Sequence, residues 1–442
     1  MKKVVNFLKI LITIFLLASL ASSVFAVYTL NITPDKDLLA VDPNYIVKAV
    51  EPDDVVEPND VINPVEPGDV IEPTNPNDVV NPVEPNDVIE PSSPDDTVEP
   101  TEPDYVVKNV IIMIGDGMGQ NHIEATRRYL GVDKLNMEKL PYKGLVKTSS
   151  ILQGGEERPI TDSAAAATAL ATGFKTQNGM VGVRPDYARS DIDIHLPENL
   201  LTLPNVTERA IATGRKTGIV ATKNLSDATP AGFSAHVAAR GQEAEIAKQQ
   251  VYSGIDVMMG AGYSQYYLPL TDELLENGYQ IATSYETLVS LTSGKVYGGF
   301  NSINYDSIVN LEVMVEQSLK LLDNEDGFFA MFEGSKIDTY GHSNNIMGVI
   351  NETRSFDNAV GIVMEYIEDN PDTLLIVTAD HETGGLQDNL DIEEGIINYY
   401  KFTTTGHSDQ EVFYFMYGHG AETVPANIDN TDIAKLIFRA LG

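Results

Sequence analysis

The stretch Val106-Val107-Lys108-Asn109-Val110-Ile111-Ile112-Met113-Ile114-Gly115-Asp116-Gly117-Met118-Gly119 decides the fold class. Its apolar run, Val106 to Ile114, has no alternation of polar and apolar residues, so it predicts a strand buried on both faces, the habit of parallel sheets. It ends against Gly-Asp-Gly. Phe328 to Phe332 and Leu374 to Thr378 read as two more such strands, each ending near a carboxylate, Glu333 and Asp380. Helical patterns alternate with them: Asn205 to Thr213, and Asn345 to Ile367 with apolar Ile350, Ala359, Ile362, Val363 and Tyr366. The alternation predicts an α/β domain over 105–442. Open α/β sheets collect ligands at the carboxyl ends of their strands, and Asp116, Glu333 and Asp380 all fall there. Residues 242–324 offer possible strand residues Val257 to Met259 and otherwise read as connections, either an insertion at the mouth of the site or a support for a dimer contact.

Outward from this domain the chain changes character. Lys2, Lys3 and Lys9 precede an apolar run, Ile10 to Leu20, with Val24 and Ala26 placed for cleavage, so residues 1–26 read as a secretory signal peptide. The run is short of the roughly 20 residues of a spanning helix, and no membrane span is expected in the mature chain. Residues 27–104 form an acidic, Pro-rich spacer with repeats such as Asn59-Asp60-Val61-Ile62-Asn63-Pro64 and Asn86-Asp87-Val88-Ile89-Glu90-Pro91. From Glu51 to Asp104 there are 17 acidic residues, 12 of the 23 prolines and no Lys or Arg, a composition that resists packing and stiffens the chain. It reads either as a stalk in contact with the cell envelope or as a disordered tail that adds solubility.

A net charge of −36 argues against nucleic acid as a partner, since counterion release needs clustered Lys and Arg. A chain this acidic must make positive potential locally if it handles an anion, and bound metal ions do so most directly. Cysteine is absent, so metal ligands must be His, Asp and Glu.

Four further motifs follow Gly115-Asp116-Gly117-Met118-Gly119. Thr161-Asp162-Ser163-Ala164-Ala165-Ala166 opens an alanine-rich helix; Ser163 there lies where backbone donors favour an anion, and simple N-capping is the competing explanation. Asp227-Ala228-Thr229-Pro230 is followed by His236 and Arg240, and a shared helical face is expected for that pair, with Arg240 free to grip phosphate oxygens. Glu333-Gly334-Ser335-Lys336-Ile337-Asp338-Thr339-Tyr340-Gly341-His342 and Thr378-Ala379-Asp380-His381-Glu382-Thr383, with Gly406-His407-Ser408 downstream, mix carboxylates and imidazoles in a way that suits zinc. His122, His195 and His419 fall in no such cluster and are expected to be surface or core histidines.

In this order and spacing the five motifs resemble the alkaline phosphatase family, over roughly Asp104 to Gly442. The resemblance implies a three-layer sandwich around a large, mostly parallel sheet, and hydrolysis of small phosphate monoesters through a phosphoserine. It further implies one zinc on Asp116, Asp380 and His381 beside the nucleophile Ser163, and a second on Asp338, His342 and His407. Magnesium falls to Asp116, Thr229 and Glu333, with Asp227 reaching it through water. Arg240 matches the phosphate-gripping arginine and Asp162 its orienting neighbour. An exported location, periplasmic or extracellular, agrees with the leader, and a homodimer is common in such proteins. Thr339 departs from the pattern, standing where some members carry a Lys or His near the phosphate, and the family's frequent disulfides are absent. A sulfatase of the same fold would need Pro and Arg after its modified residue, whereas Ser163 is followed by alanines. A related diesterase would need space for a second ester group where the magnesium set lies. A non-catalytic surface protein would have no use for a nucleophile beside closed metal sites.

Overall fold

Apolar runs without alternation need cover on both faces, and they find it in one central sheet. The computed structural model describes residues 106–185 and 200–442. The expected signal peptide 1–26, the spacer 27–104 and His195 lie outside the described residues. Ten strands join the sheet: β1 (Asn109–Gly115), β2 (Tyr142–Lys147), β3 (Lys216–Asn224), β4 (Val257–Ala261), β5 (Tyr279–Ala282), β6 (Lys295–Phe300), β7 (Phe328–Gly334), β8 (Thr373–Thr378), β9 (Val412–Tyr417) and β10 (Asn427–Asp429). Their spatial order is β10-β2-β9-β8-β1-β7-β3-β4-β6-β5. Among these, only β9 runs against the rest.

Helices cover both faces, which makes the third layer. Phe328 packs against Tyr366 of the helix Ile346–Asp369, while the next residue, Phe329, stacks on Phe233 just after the helix Ala228–Gly232. Successive strand residues point to opposite faces, so these two helices lie on opposite sides of β7. All residues of β1, β7 and β8 are buried, as continuous apolar strands require. No helix among the described residues is long and apolar enough to cross a membrane.

β1 begins at Asn109 instead of Val106, because Val107 N–H donates to the carbonyl of Ala440 in the last helix and leaves the sheet. Residues 242–324 are not the stretch of connections the sequence suggested. They supply β4, β5 and β6, the outer strands of the same parallel sheet, with the helices Glu243–Tyr252 and Leu311–Leu322. Short strands rich in Gly and Tyr, such as Lys295-Val296-Tyr297-Gly298-Gly299-Phe300, carry little periodic signal.

Register aligns the functional ends. Ile114 of β1 pairs with Glu333 of β7 and with Thr378 of β8, and Glu333 pairs with Ala221 of β3. Four neighbouring strands therefore release Asp380, Asp116, Glu333 and Lys223 at one edge, in that spatial order.

Candidate active site

Asp116 follows β1 directly and leads into Gly117, whose φ of +72° suits glycine and whose added Cβ would lie 2.7 Å from Thr383 Oγ1 and 2.8 Å from Asp338 Cα. The turn needs glycine twice over, for its backbone and for its space. Gly117 N–H donates to Asp380 Oδ1 at 3.0 Å, tying the end of β1 to the segment after β8. Asp116 does not cap the next helix; Gly119 occupies that position.

Ser163 is the first residue of the helix Ser163–Thr172, and its N-cap Asp162 accepts from Ala165 N–H at 3.0 Å. Capping thus falls to Asp162 and leaves the Ser163 hydroxyl free for the site. Buried Ser163 Oγ lies 3.1 Å from His381 Nε2. That same nitrogen is 3.2 Å from Asp380 Oδ2 and 3.6 Å from Asp116 Oδ1. Asp338 sits in the helix Lys336–His342, with Oδ1 3.1 Å from His342 Nε2 and 3.6 Å from His407 Nε2. His407 stacks on His381 with ring centres 3.6 Å apart. One centre thus holds Asp116, Asp338, Asp380, His342, His381, His407 and Ser163.

The hydrogen-bond pattern around this centre specifies a cation. His342 Nδ1 contacts the Thr405 carbonyl at 2.6 Å and His407 Nδ1 the Thr161 carbonyl at 2.8 Å. A carbonyl only accepts, so both Nδ1 atoms carry the hydrogen and both Nε2 atoms offer lone pairs. Those two lone-pair nitrogens face each other at 3.3 Å. Thr383 Oγ1 donates to Asp338 Oδ1 and lies 3.3 Å from His381 Nδ1, which fixes the third ring the same way. Asp116 Oδ1, Glu333 Oε2 and Asp380 Oδ2 are buried without a hydrogen-bond partner. Buried carboxylate oxygens that lack a donor, beside imidazole lone pairs, fit divalent cations with nitrogen and oxygen ligands. Two groups are close enough to share an ion: Asp338, His381 and His407, and Asp116, Asp380 and His381.

The protonation behaviour follows the same geometry. Burial, with Asp338 and Asp380 nearby, pushes the Asp116 carboxyl well above its usual range. Burial, with Asp227 adding to it, raises Glu333 to about 8, and burial raises Asp380 to about 6. Burial lowers His381 well below the usual histidine value, with His407 adding to it. Asp338 goes the other way: burial opposes ionisation, but His342 and His407, which donate to it from Nε2 when protonated, and the Lys223 ammonium hold it far below the carboxylate range.

Arg240 arrives by a different route from the one expected. The helix Ala228–Gly232 stops before His236, so His236 and Arg240 share no helical face. Instead Val237 pairs with Val181, and Arg240 N–H donates to the Gly179 carbonyl at 2.7 Å. His236 turns away to Glu208 and to the Gly182 carbonyl. The Arg240 guanidinium spans Asp162 Oδ2 at 3.3 Å and Asp227 Oδ1 at 3.0 Å, and Asp162 Oδ2 also accepts from Gly179 N–H. Thr229 is buried in the helix that Asp227 caps. Thr339 is exposed.

Two residues add to the motif reading. Lys223, at the end of β3, places Nζ 3.2 Å from Asp338 Oδ2 and 3.8 Å from Asp116 Oδ2. The signal was an apolar run, Gly218 to Thr222, that ends on a lysine at the same sheet edge. His122 is a core histidine: its Nδ1 accepts from Gly119 N–H, opposite to the site histidines, and its Nε2 lies 3.7 Å from Glu382. Burial lowers its pKa to about 4. His419 is exposed.

Comparison with known proteins agrees with this geometry. A family model described as "Alkaline phosphatase" matches residues 107–283 and 300–401. Alkaline phosphatase 4 of Bacillus subtilis is 30% identical over 422 residues, spanning 76% of this chain and 89% of the relative. Alkaline phosphatase of Escherichia coli is 29% identical, spanning 76% and 86%. The structure of alkaline phosphatase from the Antarctic bacterium TAB5 aligns with a TM-score of 0.66 at 31% identity, covering 76% of this chain and 98% of that one. A variant of the TAB5 enzyme, at 30% identity and a TM-score of 0.66 with the same coverage, has Mg bound in its M3 site.

Proposed function

This chain belongs to the alkaline phosphatase family and is a phosphatase, and from that premise we propose that it is an exported phosphomonoesterase that works through a phosphoserine at Ser163. The observation that carries the reading is the Ser163 hydroxyl, 3.1 Å from His381 Nε2 at a helix N-terminus, facing a pocket of converging acceptors. We assign one zinc to Asp116, Asp380 and His381 and a second to Asp338, His342 and His407. Magnesium would be held by Asp116, Thr229 and Glu333, with Asp227 nearby to bind its water. When bound, these ions supply the positive charge that eases ionisation of the serine and neutralises phosphoryl oxygens.

The chain's own groups do the rest. Ser163 Oγ bonds to phosphorus as the bond from phosphorus to the alcohol oxygen breaks, and the serine proton is balanced, through solvent, by the one the alcohol takes up. Backbone N–H groups at the helix start and the Arg240 guanidinium then hold the phosphoryl oxygens, as phosphoryl transfer chiefly demands. Asp162 and Asp227 pin Arg240 between them, so it is oriented before substrate arrives. Water next bonds to phosphorus as the bond to Ser163 Oγ breaks, a water proton returns through solvent to the serine oxygen, and phosphate leaves. Export is read from the basic and apolar pattern of residues 1–26.

The test is hydrolysis of a simple aryl phosphate monoester and of the matching diester by the purified protein, before and after chelation. Monoester activity should dominate, vanish on chelation and return with zinc plus magnesium. Return with magnesium alone, or a preference for the diester, would overturn the assignment.

A further inference from the structure

Lys223 lies at this sheet edge outside the five sequence motifs. Its side chain is about one quarter exposed and leans into the centre from β3. Both carboxylates it meets are divided in the same manner. Asp338 turns Oδ1 to His342 and His407 and Oδ2 to Lys223. Asp116 turns Oδ1 to His381 and Oδ2 to Lys223. The histidines thus take one face of the carboxylate pair and the ammonium takes the other. Glu333, which the proposed magnesium set requires, ends the strand next to β3.

We propose that Lys223 is a resident cation of the centre that competes with the third metal ion, so that magnesium is held weakly and gains its place only as the ammonium withdraws. The inference rests on the magnesium assignment above. An ammonium and a divalent cation cannot share the outer carboxylate oxygens at contact distance, because their charges repel in a buried site where screening is weak. There is room for withdrawal. Lys223 lines an open cavity of about 330 Å³ with Asn224, Asp227, Asn301, Glu243 and Lys336, where the Glu243 carboxylate, which also accepts from Ser226, offers the displaced ammonium a partner and offsets the charge of Lys336. Without divalent ions the lysine serves as counter-ion to two buried carboxylates, which would otherwise face each other uncompensated.

The experiment titrates magnesium by calorimetry into zinc-loaded wild type, Lys223→Met, Lys223→Gln and Lys223→Arg. Zinc content is measured in the same samples, and melting temperature after removal of all metal. Lys223→Met and Lys223→Gln should bind magnesium at least tenfold more tightly than wild type with equal zinc, and should melt lower when metal-free. Lys223→Arg, which keeps the charge, should stay within about threefold of wild type. Unchanged or weaker magnesium binding in both neutral variants overturns the proposal. So does loss of zinc from them, since the lysine would then support the zinc ligands instead of opposing magnesium. If Lys223→Met does not fold, Lys223→Gln carries the comparison, its amide being able to donate to Asp338. Wild type that takes up no zinc would count against the metal assignment itself, and that result is distinct from any change in magnesium affinity.

Discussion

The imidazole side and the lysine side of the centre are built on opposite electrostatic plans. On the first, His342, His381 and His407 in their neutral form present lone pairs toward Asp338, Asp116 and Asp380, so that face brings no permanent positive charge. On the second, Lys223 and Arg240 bring permanent positive charge to Asp116, Asp338, Asp162 and Asp227. The first side therefore depends on metal to be neutral, and the second is partly neutral without it. An enzyme that must hold a phosphate dianion in a strongly acidic chain gains from both plans: metal for charge density, side chains for orientation.

The largest effects should separate the two sides by metal content. His342→Ala or His407→Ala should empty one zinc position and reduce monoester turnover by several orders of magnitude, leaving magnesium bound. Glu333→Gln should lose magnesium and keep zinc. Asp116→Ala, whose carboxylate faces both sides, should lose from each. Elemental analysis of the purified variants decides, and equal losses in all of them would erase the distinction between the sides.

A smaller effect lies in the pH dependence of the metal-free protein. Glu333 is raised to about 8, while His342 and His407 are raised above the usual histidine value, His342 by its hydrogen bond to Asp338 and His407 by Asp338 against burial. Raised groups bind more protons folded than unfolded, so their contribution to stability is lost as pH rises through the folded values. His381 and His122 are lowered and act oppositely, but only below the ordinary histidine pKa of about 6.5. From pH 6.5 to 8 the metal-free protein should lose melting temperature, and the metal-loaded protein should not, since cations replace the protons. Parallel curves for the two forms would contradict this.

The smallest effect concerns Arg240. Asp162→Asn keeps an N-cap acceptor but weakens the ion pair, so phosphate should bind a few-fold more weakly with little change in stability; Asp162→Ala also loses the cap, a cost of about 1 kcal/mol. Phosphate inhibition and denaturant midpoints distinguish the two variants. An unchanged inhibition constant in both would remove Asp162 from phosphate binding.

Much of this was legible in the sequence for a physical reason. β1, β7 and β8 are buried on both faces, so their composition is apolar without interruption and their ends are marked by Gly117, Glu333 and Asp380. The alanine-rich helix was equally readable, although the sequence left its cap open between Asp162 and Ser163 and the structure assigns it to Asp162. What was not legible depends on tertiary pairing. Arg240 is placed by the bridge from Val237 to Val181 and not by helical spacing from His236. Lys223 matters only because β3 lies beside β7, a neighbour 105 residues or more away along the chain that local pattern cannot reveal. The outer strands β4 to β6 are short and carry Gly and Tyr where a stronger signal would carry branched residues.

The central claim is that Ser163 is the nucleophile of this centre. Its most direct test is an acid quench of the metal-loaded enzyme during turnover of a phosphate monoester, followed by mass analysis of the intact protein and its peptides. The account predicts one added phosphoryl group, on the peptide that contains Ser163, and none in Ser163→Ala, whose turnover falls to a small residual rate. No phosphoryl group on that peptide, together with near-normal turnover by Ser163→Ala, would contradict it.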